Sequence, residues 1–478
     1  MSPRVLIVGG GLAGLAATVA LAERGFPCTL VESRPRLGGR ASSFHDPTTD
    51  SDIDNCQHVT LGCCTNFRNF CETTGLAEFF HRESELNFIG PDGRIDLFSA
   101  GSLPAPLHLA GAFARLSYLT LADKIGLARG LKALAKQVNA HDDAIPFSDW
   151  LMDHGQSENV IRRFWLVVLV SALSESLDRI SVGHARKVFV DAFLAHRDGW
   201  AVDIPTVPLE KLYGGRLTDW LTSHGVQLRL GTTSERIEVE NQHVSGIRMS
   251  SKELVKADEY IAALPFYRIG SILPQSLARH PDLAGIAQLQ PAPITSIHLW
   301  FDRPITDLRH AVFVDRLCQW VFNRTAIAQT SNPAGAANMP SEQAQQSGYY
   351  YQIVISASQG LATRSKDEIQ REVLQELSAV WPETKEAKLL HSRQVTEHRA
   401  VFSPVPGGED LRPQQQSPIP NLQLAGDWTK TGWPATMEGA VRSGYLAAEN
   451  ILRKHGHSTE VLQPDLPTSP LSRWLFGL

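Results

Sequence analysis

VLIVGGGLAGLAATVALAERGFPCTLVESRPRLGGR, residues Val5 to Arg40, is the stretch on which the reading of the chain turns. Four apolar residues, Val5 to Val8, spell a parallel strand buried on both faces. Gly9-x-Gly11-x-x-Gly14 opens a helix that runs to about Arg24 and stops at Gly25. A second strand, Cys28 to Val31, delivers Glu32 and Ser33. Strand, glycine loop, helix, strand and acid fall in the order of a dinucleotide-binding βαβ unit. Gly9 permits the tight turn, Gly11 lets a pyrophosphate approach the backbone, and Gly14 lets the helix pack on the strand. The helix start at Leu12 and Ala13 offers free N–H groups and a partial positive charge to the phosphates. Glu32 would accept hydrogen bonds from both ribose hydroxyls and would repel a 2′-phosphate, which argues against NADP. Hydropathy alone would mark the uncharged run Val5 to Ala22 as a signal peptide or a membrane helix. Three consecutive glycines weaken either reading, and neither accounts for Glu32.

The continuation narrows the dinucleotide. Arg34-Pro-Arg-Leu-Gly38-Gly39-Arg40 is a second glycine doublet followed by arginine. Here the chain resembles the FAD-binding domain of the amine oxidase and phytoene desaturase superfamily. The resemblance implies that Gly38, Gly39 and Arg40 lie along the FAD pyrophosphate. A partner signal comes near the other end, LQLAGDWTKTGWPATMEGAVRSG, residues Leu422 to Gly444. A strand ends at Gly426-Asp427, and a helix begins near Thr436 and runs to about Arg453. Asp427 is placed to bind a ribitol or phosphate oxygen. The N–H groups at the helix start can face the flavin pyrimidine carbonyl and stabilise the charge of the reduced ring. Carried over from the family, Asp427 and Met437 are FAD contacts, flanked by Gly426 and Thr436, and the backbone near Ser234 lies beside the adenine. Two remote signatures thus imply one FAD, held non-covalently.

Composition excludes several classes. The net charge is −5 and no basic block stands out, which argues against a nucleic-acid partner. Outside the glycine-rich start the longest apolar run is Phe164 to Val170, too short to span a bilayer. No export signal is credible, so the expected location is cytoplasmic, with any membrane contact peripheral and on the inner face. Cys56, Cys63, Cys64 and Cys71 lie close in sequence but lack a Cys-x-x-Cys knuckle, and His58 is their nearest imidazole. Buried thiols are expected there, with no metal and no structural disulfide.

At 478 residues the chain has room for two interleaved domains. The fold class expected is α/β: a Rossmann-like FAD-binding domain, of the GR2-type flavoprotein kind, interleaved with an α+β substrate domain. Residues 1–75, 205–265 and 395–456 are assigned to the first, 76–204 and 266–394 to the second, and 457–478 to a tail. Ile53 to Val59 reads as a strand, and 76–204 as long helices, including one with a Ser148 N-cap and an apolar core helix over Ile161 to Ala172. Val202 to Gly215 reads as a loop, Gln227 to Met249 as three short strands, and Lys256 to Leu264 as a further parallel strand. Strands at Ile294 to Phe301, Cys318 to Asn323 and Tyr349 to Ser356, with a helix over Lys366 to Val380, would form the second sheet. Ser331 to Gly348 reads as a loop.

The substrate side rests on Asp54-Asn-Cys56-Gln57-His58. The tail segment is similar to plant-type carotenoid desaturases. The whole pattern resembles more closely the hydroxysqualene dehydroxylases, or squalene-associated FAD-dependent desaturases, of hopanoid biosynthesis. Trp433 to Ala440, His298 to Pro304, Gln319 to Arg324 and Glu397 to Phe402 carry that likeness along nearly the whole chain, and Cys56 departs from it where glycine is usual. The resemblance implies a long apolar isoprenoid alcohol as substrate, losing an allylic hydroxyl while reduced flavin delivers hydride from N5. The electron donor that reduces the flavin is unidentified. Asp54, Gln57 and His58 are the polar residues expected near the leaving hydroxyl, with His58 as the acid. Competing readings are a carotenoid desaturase, an amine oxidase using Trp428 and Trp433 as an aromatic cage, and a flavin-binding scaffold without turnover. Leu103 to Lys136, apolar and dotted with basic residues, suits a surface resting on anionic lipid, and Pro470 to Leu478 is a second lipid candidate.

Overall fold

Five parallel strands carry the nucleotide end of the molecule: β1 (Val5–Val8), β2 (Cys28–Val31), β10 (Gln227–Arg229), β14 (Glu259–Ala262) and β20 (Leu422–Leu424). Their order is β10-β2-β1-β14-β20, so chain ends from three distant segments lie side by side. The computed structural model describes residues 2–137, 142–330, 348–457 and 460–478. All four residues of β1 and of β14 are buried because both faces of the sheet are covered. On one face, α1 (Leu12–Ala22) and α7 (Met437–Lys454) pack over Val5 and Ile7. On the other, an antiparallel sheet of β11 (Ser234–Glu240), β12 (His243–Met249) and β13 (Leu254–Val255) shares a core with Leu6 and Val8. The two covering helices touch backbone to backbone. A Cβ on Gly444 would lie 2.2 Å from the Ala13 carbonyl oxygen, so only glycine lets their starts converge at one end of the sheet.

A seven-stranded sheet forms the other half, in the order β19 (Leu389–Phe402), β15 (Pro291–Phe301), β18 (Tyr349–Ser356), β17 (Trp320–Asn323), β16 (His310–Phe313), β7 (Glu85–Ile89), β8 (Ile95–Ser99). Its pairs are antiparallel except β7 with β16. One face carries Ile297, Leu299, Tyr351 and Ile353 against Ile369, Val373 and Leu377 of α6 (Lys366–Val380), a helix started by a Ser365–Glu368 capping box. The alternate residues Ile294, Trp320, Phe322 and Val354 point to the opposite face. The hairpin β3 (Ser43–Asp46) and β4 (Ser51–Asp54) and the small sheet β5 (Thr60–Leu61), β9 (Val202–Pro205), β6 (Phe80–Glu83) connect the two halves. Around them lie α2 (Thr65–Thr73), α3 (Ala110–Arg115), α4 (Leu121–Lys136), α5 (Leu166–Leu173) and α8 (Pro470–Phe476). Among the described residues no helix is long and apolar enough to cross a membrane.

The mixed α/β class is the one expected, and several local expectations are corrected. The strand thought to run over Ile53 to Val59 ends at Asp54, because the Asn55 side chain accepts from the Cys56 N–H and takes that donor from any ladder. The region after Leu76 opens with three strands, β6 to β8, whose alternating burial was masked by their charged residues. Val202 to Pro205 is a strand, with its proline at the end where no ladder donor is needed. The helix over Phe147–Asp153 is capped by Pro146; Ser148 sits in its first turn and donates to Asp149. Ile161 to Trp165 is a π-helical turn leading into α5, and Leu166 is exposed, so this segment is not apolar core all round. The loop expected at Ser331 to Gly348 lies outside the described residues up to 347.

Candidate active site

The starts of α1 and α7 open onto a cavity of about 670 Å³ that runs from the glycine loop to the seven-stranded sheet. At its nucleotide end β1 turns sharply at Gly9, φ +111°, where a Cβ would meet the Ala263 carbonyl oxygen at 2.3 Å. Gly11, Leu12 and Ala13 line the wall, and α1 has no side chain capping its first amides, which leaves them for a ligand. Gly14 faces away and serves only the packing of α1 on the turn. Gly38 N–H donates to the Gly10 carbonyl at 2.8 Å, so the second glycine doublet is bound to the first. A Cβ on Gly39 would lie 3.0 Å from the Gly11 Cα, and the two glycine elements therefore present bare backbone as one cradle.

Glu32 lines the same wall but is used by its own chain. One carboxylate oxygen accepts from Gly10 N–H at 2.7 Å, the other from Arg34 N–H at 2.8 Å and Ser33 Oγ at 3.0 Å. It pins the glycine loop as well as lining the cavity. Thr232, Thr233 and Ser234 close that end, and Thr232 N–H donates to the Glu32 carbonyl. Further along, Arg40 donates to Asp427 at 2.7 Å and to the Ala400 carbonyl at 2.8 Å. The nearby Asp427, with Tyr267 and Glu397, raises the guanidinium above its ordinary range, overcoming the opposing effect of burial. Gly426, Asp427, Thr436 and Met437 lie on this wall, with Thr436 capping α7 by accepting from Gly439 N–H at 3.0 Å. Behind the Gly426–Trp433 loop a second cavity, about 750 Å³, shares no lining residue with the first.

The Asp54-to-His58 segment does not act as one cluster. Asp54 accepts from Ser43 Oγ at 2.7 Å and Leu209 N–H at 2.9 Å, and it is absent from the cavity wall. Asn55, Cys56, Gln57 and His58 do line it. Gln57 has both ends of its amide engaged: it accepts from Arg324 Nη1 at 2.9 Å and donates to the His58 carbonyl at 3.0 Å. Arg324, buried, also donates to the Pro205 carbonyl, and so holds this turn from behind. His58 Nδ1 lies 2.9 Å from the Cys56 carbonyl. A carbonyl can only accept, so Nδ1 carries the proton and Nε2 keeps its lone pair in the neutral ring. Burial lowers the His58 pKa, and the Arg40 charge adds to this, outweighing the Cys56 carbonyl and Asp54. The Cys56 thiol is pushed up to about 12 by burial and by Asp54, so it stays protonated.

Beyond this turn the cavity becomes apolar. Ile294, Trp320, Phe322 and Val354 face Ser171, Ala172 and Ser174 at the end of α5. Trp320 Nε1 donates to Ser171 Oγ at 3.0 Å, which fixes the indole across the wall. The aromatic cage that an amine oxidase reading would draw from Trp428 and Trp433 does not form as a pair. Trp428 lines the cavity and donates to the Leu264 carbonyl, while the Trp433 ring lies beneath Lys187 Nζ at 4.5 Å and outside the cavity wall. Glu438, in the middle of a flavin signature, instead accepts from Asn66 and Phe67 and caps α2. Burial raises its pKa despite those bonds. Sequence reasoning missed Asn55, whose amide donates to the Arg40 carbonyl at 2.6 Å, although an asparagine directly after a strand was a readable turn signal. It also missed Arg324 as the support of Gln57, for which no local signal exists. All six cysteines are buried free thiols. Among the described residues no group of three metal-ligating side chains could hold an ion.

Two helix starts, a double glycine cradle and an arginine–aspartate pair line one cavity, and bare backbone beside a helix start suits the pyrophosphate of a dinucleotide. The chain belongs to the flavin containing amine oxidoreductase family, whose model matches residues 12–452. It is 26% identical to a 15-cis-phytoene desaturase of Synechococcus elongatus over 469 residues, covering 94% of this chain and 96% of that one. A zeta-carotene desaturase of Zea mays is also 26% identical, over 92% of this chain and 82% of its own. Among solved structures, an oxidoreductase from Methanosarcina mazei superposes with a TM-score of 0.70 at 16% identity, covering 94% of this chain and 100% of that one. A putrescine oxidase does so with a TM-score of 0.67 at 16% identity, covering 95% and 99%. The protein is an FAD-dependent oxidoreductase, and the bare-backbone cradle beside the α1 and α7 starts fits that cofactor.

Proposed function

We propose that the protein removes the allylic hydroxyl of hydroxysqualene to give squalene. The observation that supports this reading is the chamber lining: Ile294, Trp320, Phe322 and Val354 form an apolar wall, and the His58 ring lines the same cavity with Ser171, Ser174 and Ser356 as further polar groups. A pure hydrocarbon offers Nε2 of that ring no hydrogen bond, whereas an alcohol does; Nδ1 is already held by the Cys56 carbonyl. Bound in the cradle, reduced FAD supplies a hydride at N5. The chamber would hold the polyisoprene chain and exclude water from the allylic cation formed as the C–O bond breaks. The electron pair leaves with oxygen, which takes a proton and departs as water, while hydride forms the new C–H bond. His58 is the proposed proton source, protonated at Nε2 and held in place through Nδ1–H on the Cys56 carbonyl. Its lowered pKa makes the imidazolium a stronger acid than an exposed histidine would be. Gln57 and Asp54 are proposed as supports, since their polar atoms are engaged by Arg324, Ser43 and Leu209.

A second reading has a specific observation behind it. The neutral His58 ring keeps its lone pair on Nε2, as a base taking a proton during desaturation would, and the similar proteins named above are named for carotenoid desaturation. The two readings predict opposite pH profiles: dehydroxylation accelerates as pH falls through the His58 pKa, and desaturation slows. Anaerobic incubation with dithionite-reduced flavin and hydroxysqualene, followed by mass spectrometry, tests the first. Squalene supports it; no squalene, with reduction of the oxidised enzyme by a carotene or an amine in a separate anaerobic incubation, supports oxidation; the absence of both indicates a scaffold.

A further inference from the structure

We infer that the outer face of α3 and α4, completed by α8, docks on an anionic lipid surface. The inner face of α4 is ordinary, with Leu127, Leu131 and Leu134 in the core. Its outer positions Leu121, Ile125, Ala128, Arg129, Lys132 and Lys136 form one exposed stripe at helical spacing. The stripe is apolar over its first half and cationic over its second. Leu121 is 75% exposed and Ile125 46%, positions where a helix facing water carries polar residues of both signs.

The charge is one-sided as well. Between residues 101 and 137 the cations are Arg115, Lys124, Arg129, Lys132 and Lys136, and the lone carboxylate is Asp123. Asp123 is buried as the capping partner of Thr120 and accepts from Ser157 and Asn159, so it neutralises none of the surface. The neighbouring elements extend the same character. Lys124 Nζ donates to the Ala114 carbonyl and ties the start of α4 to the end of α3, and the segment before α3 exposes Leu103 by 52% and Leu107 by 42%. Ser469 Oγ donates to the Ala105 carbonyl and seats α8 beside that segment, with Phe476 and Leu478 packed near Ala135. Trp474 on α8 is 79% exposed. Exposed leucines, a tryptophan and a set of lysines and arginines on contacting elements complement a membrane surface: apolar groups would enter the headgroup layer, the indole would sit at the interface, and the cations would meet phosphates. The inference stands apart from the substrate reading, because it concerns a surface outside the cavity.

The test uses the full FAD-loaded chain and flotation with vesicles of phosphatidylcholine, with and without about 30% phosphatidylglycerol. Binding is expected to be about tenfold stronger to the anionic vesicles and to fall by a similar factor between about 0.1 and about 0.5 M salt. The L121E/I125E and R129E/K132E/K136E variants should each lose about tenfold in binding while keeping flavin absorbance, and Trp474→Phe should remove part of the lipid-induced fluorescence shift. Equal partition to neutral and anionic vesicles, or both multiple variants floating like the parent, overturns the inference. So does capture of an acidic protein by this face with no vesicle binding.

Discussion

The glycine cradle and the apolar chamber share one cavity but are built from different parts of the chain's chemistry. The cradle is backbone: bare glycine turns, side-chain-free amides at the start of α1, and one arginine–aspartate pair. The chamber is side chain: an indole, a phenyl ring and branched aliphatics from β15, β17 and β18, with Ser171 and Ala172 of α5 and His58 on the same lining. At Gly9 and Gly38 an added Cβ would meet a backbone carbonyl oxygen at 2.3 Å and at Gly39 the Gly11 Cα at 3.0 Å, so those positions resist change, whereas a side-chain site can be retuned one residue at a time. That contrast orders the expected effects of substitution.

Gly9→Val should do most damage. It sets a branched residue at φ +111° with its Cβ against the Ala263 carbonyl, strain of ~1–3 kcal/mol from the backbone alone, and the purified variant should lack flavin absorbance and melt early. Flavin retained at parental occupancy would break the contrast at its stronger end. Next comes His58→Gln, which should keep FAD and lower turnover by roughly 10²- to 10⁴-fold. Arg324→Met leaves the Gln57 amide oxygen and the Pro205 carbonyl without their donor, a cost of about 1–3 kcal/mol that should appear as a lower melting temperature and a KM and kcat change together, with flavin retained.

A smaller effect is expected in the pH dependence of stability. His298, on the sheet face that carries the chamber, is driven from 6.5 down to about 3 by burial and then by Arg393. The unfolded chain therefore binds a proton that the folded one refuses, and stability contributed by the neutral ring is full above about 6.5 and lost as pH falls toward 3. Denaturant titrations of His298→Gln should show a flatter acid limb than the parent. Smallest of all is Cys56→Gly: the thiol is uncharged, and turnover should stay within about threefold, with native Cys56 slow to alkylate at pH 8.

The same contrast explains what could be read without coordinates. A cradle made of backbone leaves its trace in glycines at fixed offsets: Gly9 and Gly11 line the cavity as their spacing implied, and Gly38 and Gly39 as the family resemblance implied, while Gly14 does not line it. The chamber left a weaker trace. Ser171 and Ala172 read as core because a residue facing an apolar cavity has the same composition as one facing packed protein. Arg324 could not be matched to Gln57, since 267 residues separate them and only the folded sheet brings them within hydrogen-bond reach. Asp54 shows the opposite failure: it stands inside a discriminating motif, yet its carboxylate ties β4 to Leu209. A motif marks a place in the fold, and each of its side chains still has to be traced to what it touches.

The central proposal concerns the direction of electron flow, from flavin to substrate. It is tested most directly by one anaerobic turnover of the dithionite-reduced enzyme with hydroxysqualene in D₂O, where the flavin N5 hydrogen has exchanged with solvent. Squalene carrying one deuterium, on the carbon that bore the hydroxyl, is the result predicted. Recovery of unchanged alcohol, together with reduction of the oxidised enzyme by a carotenoid hydrocarbon, would contradict it.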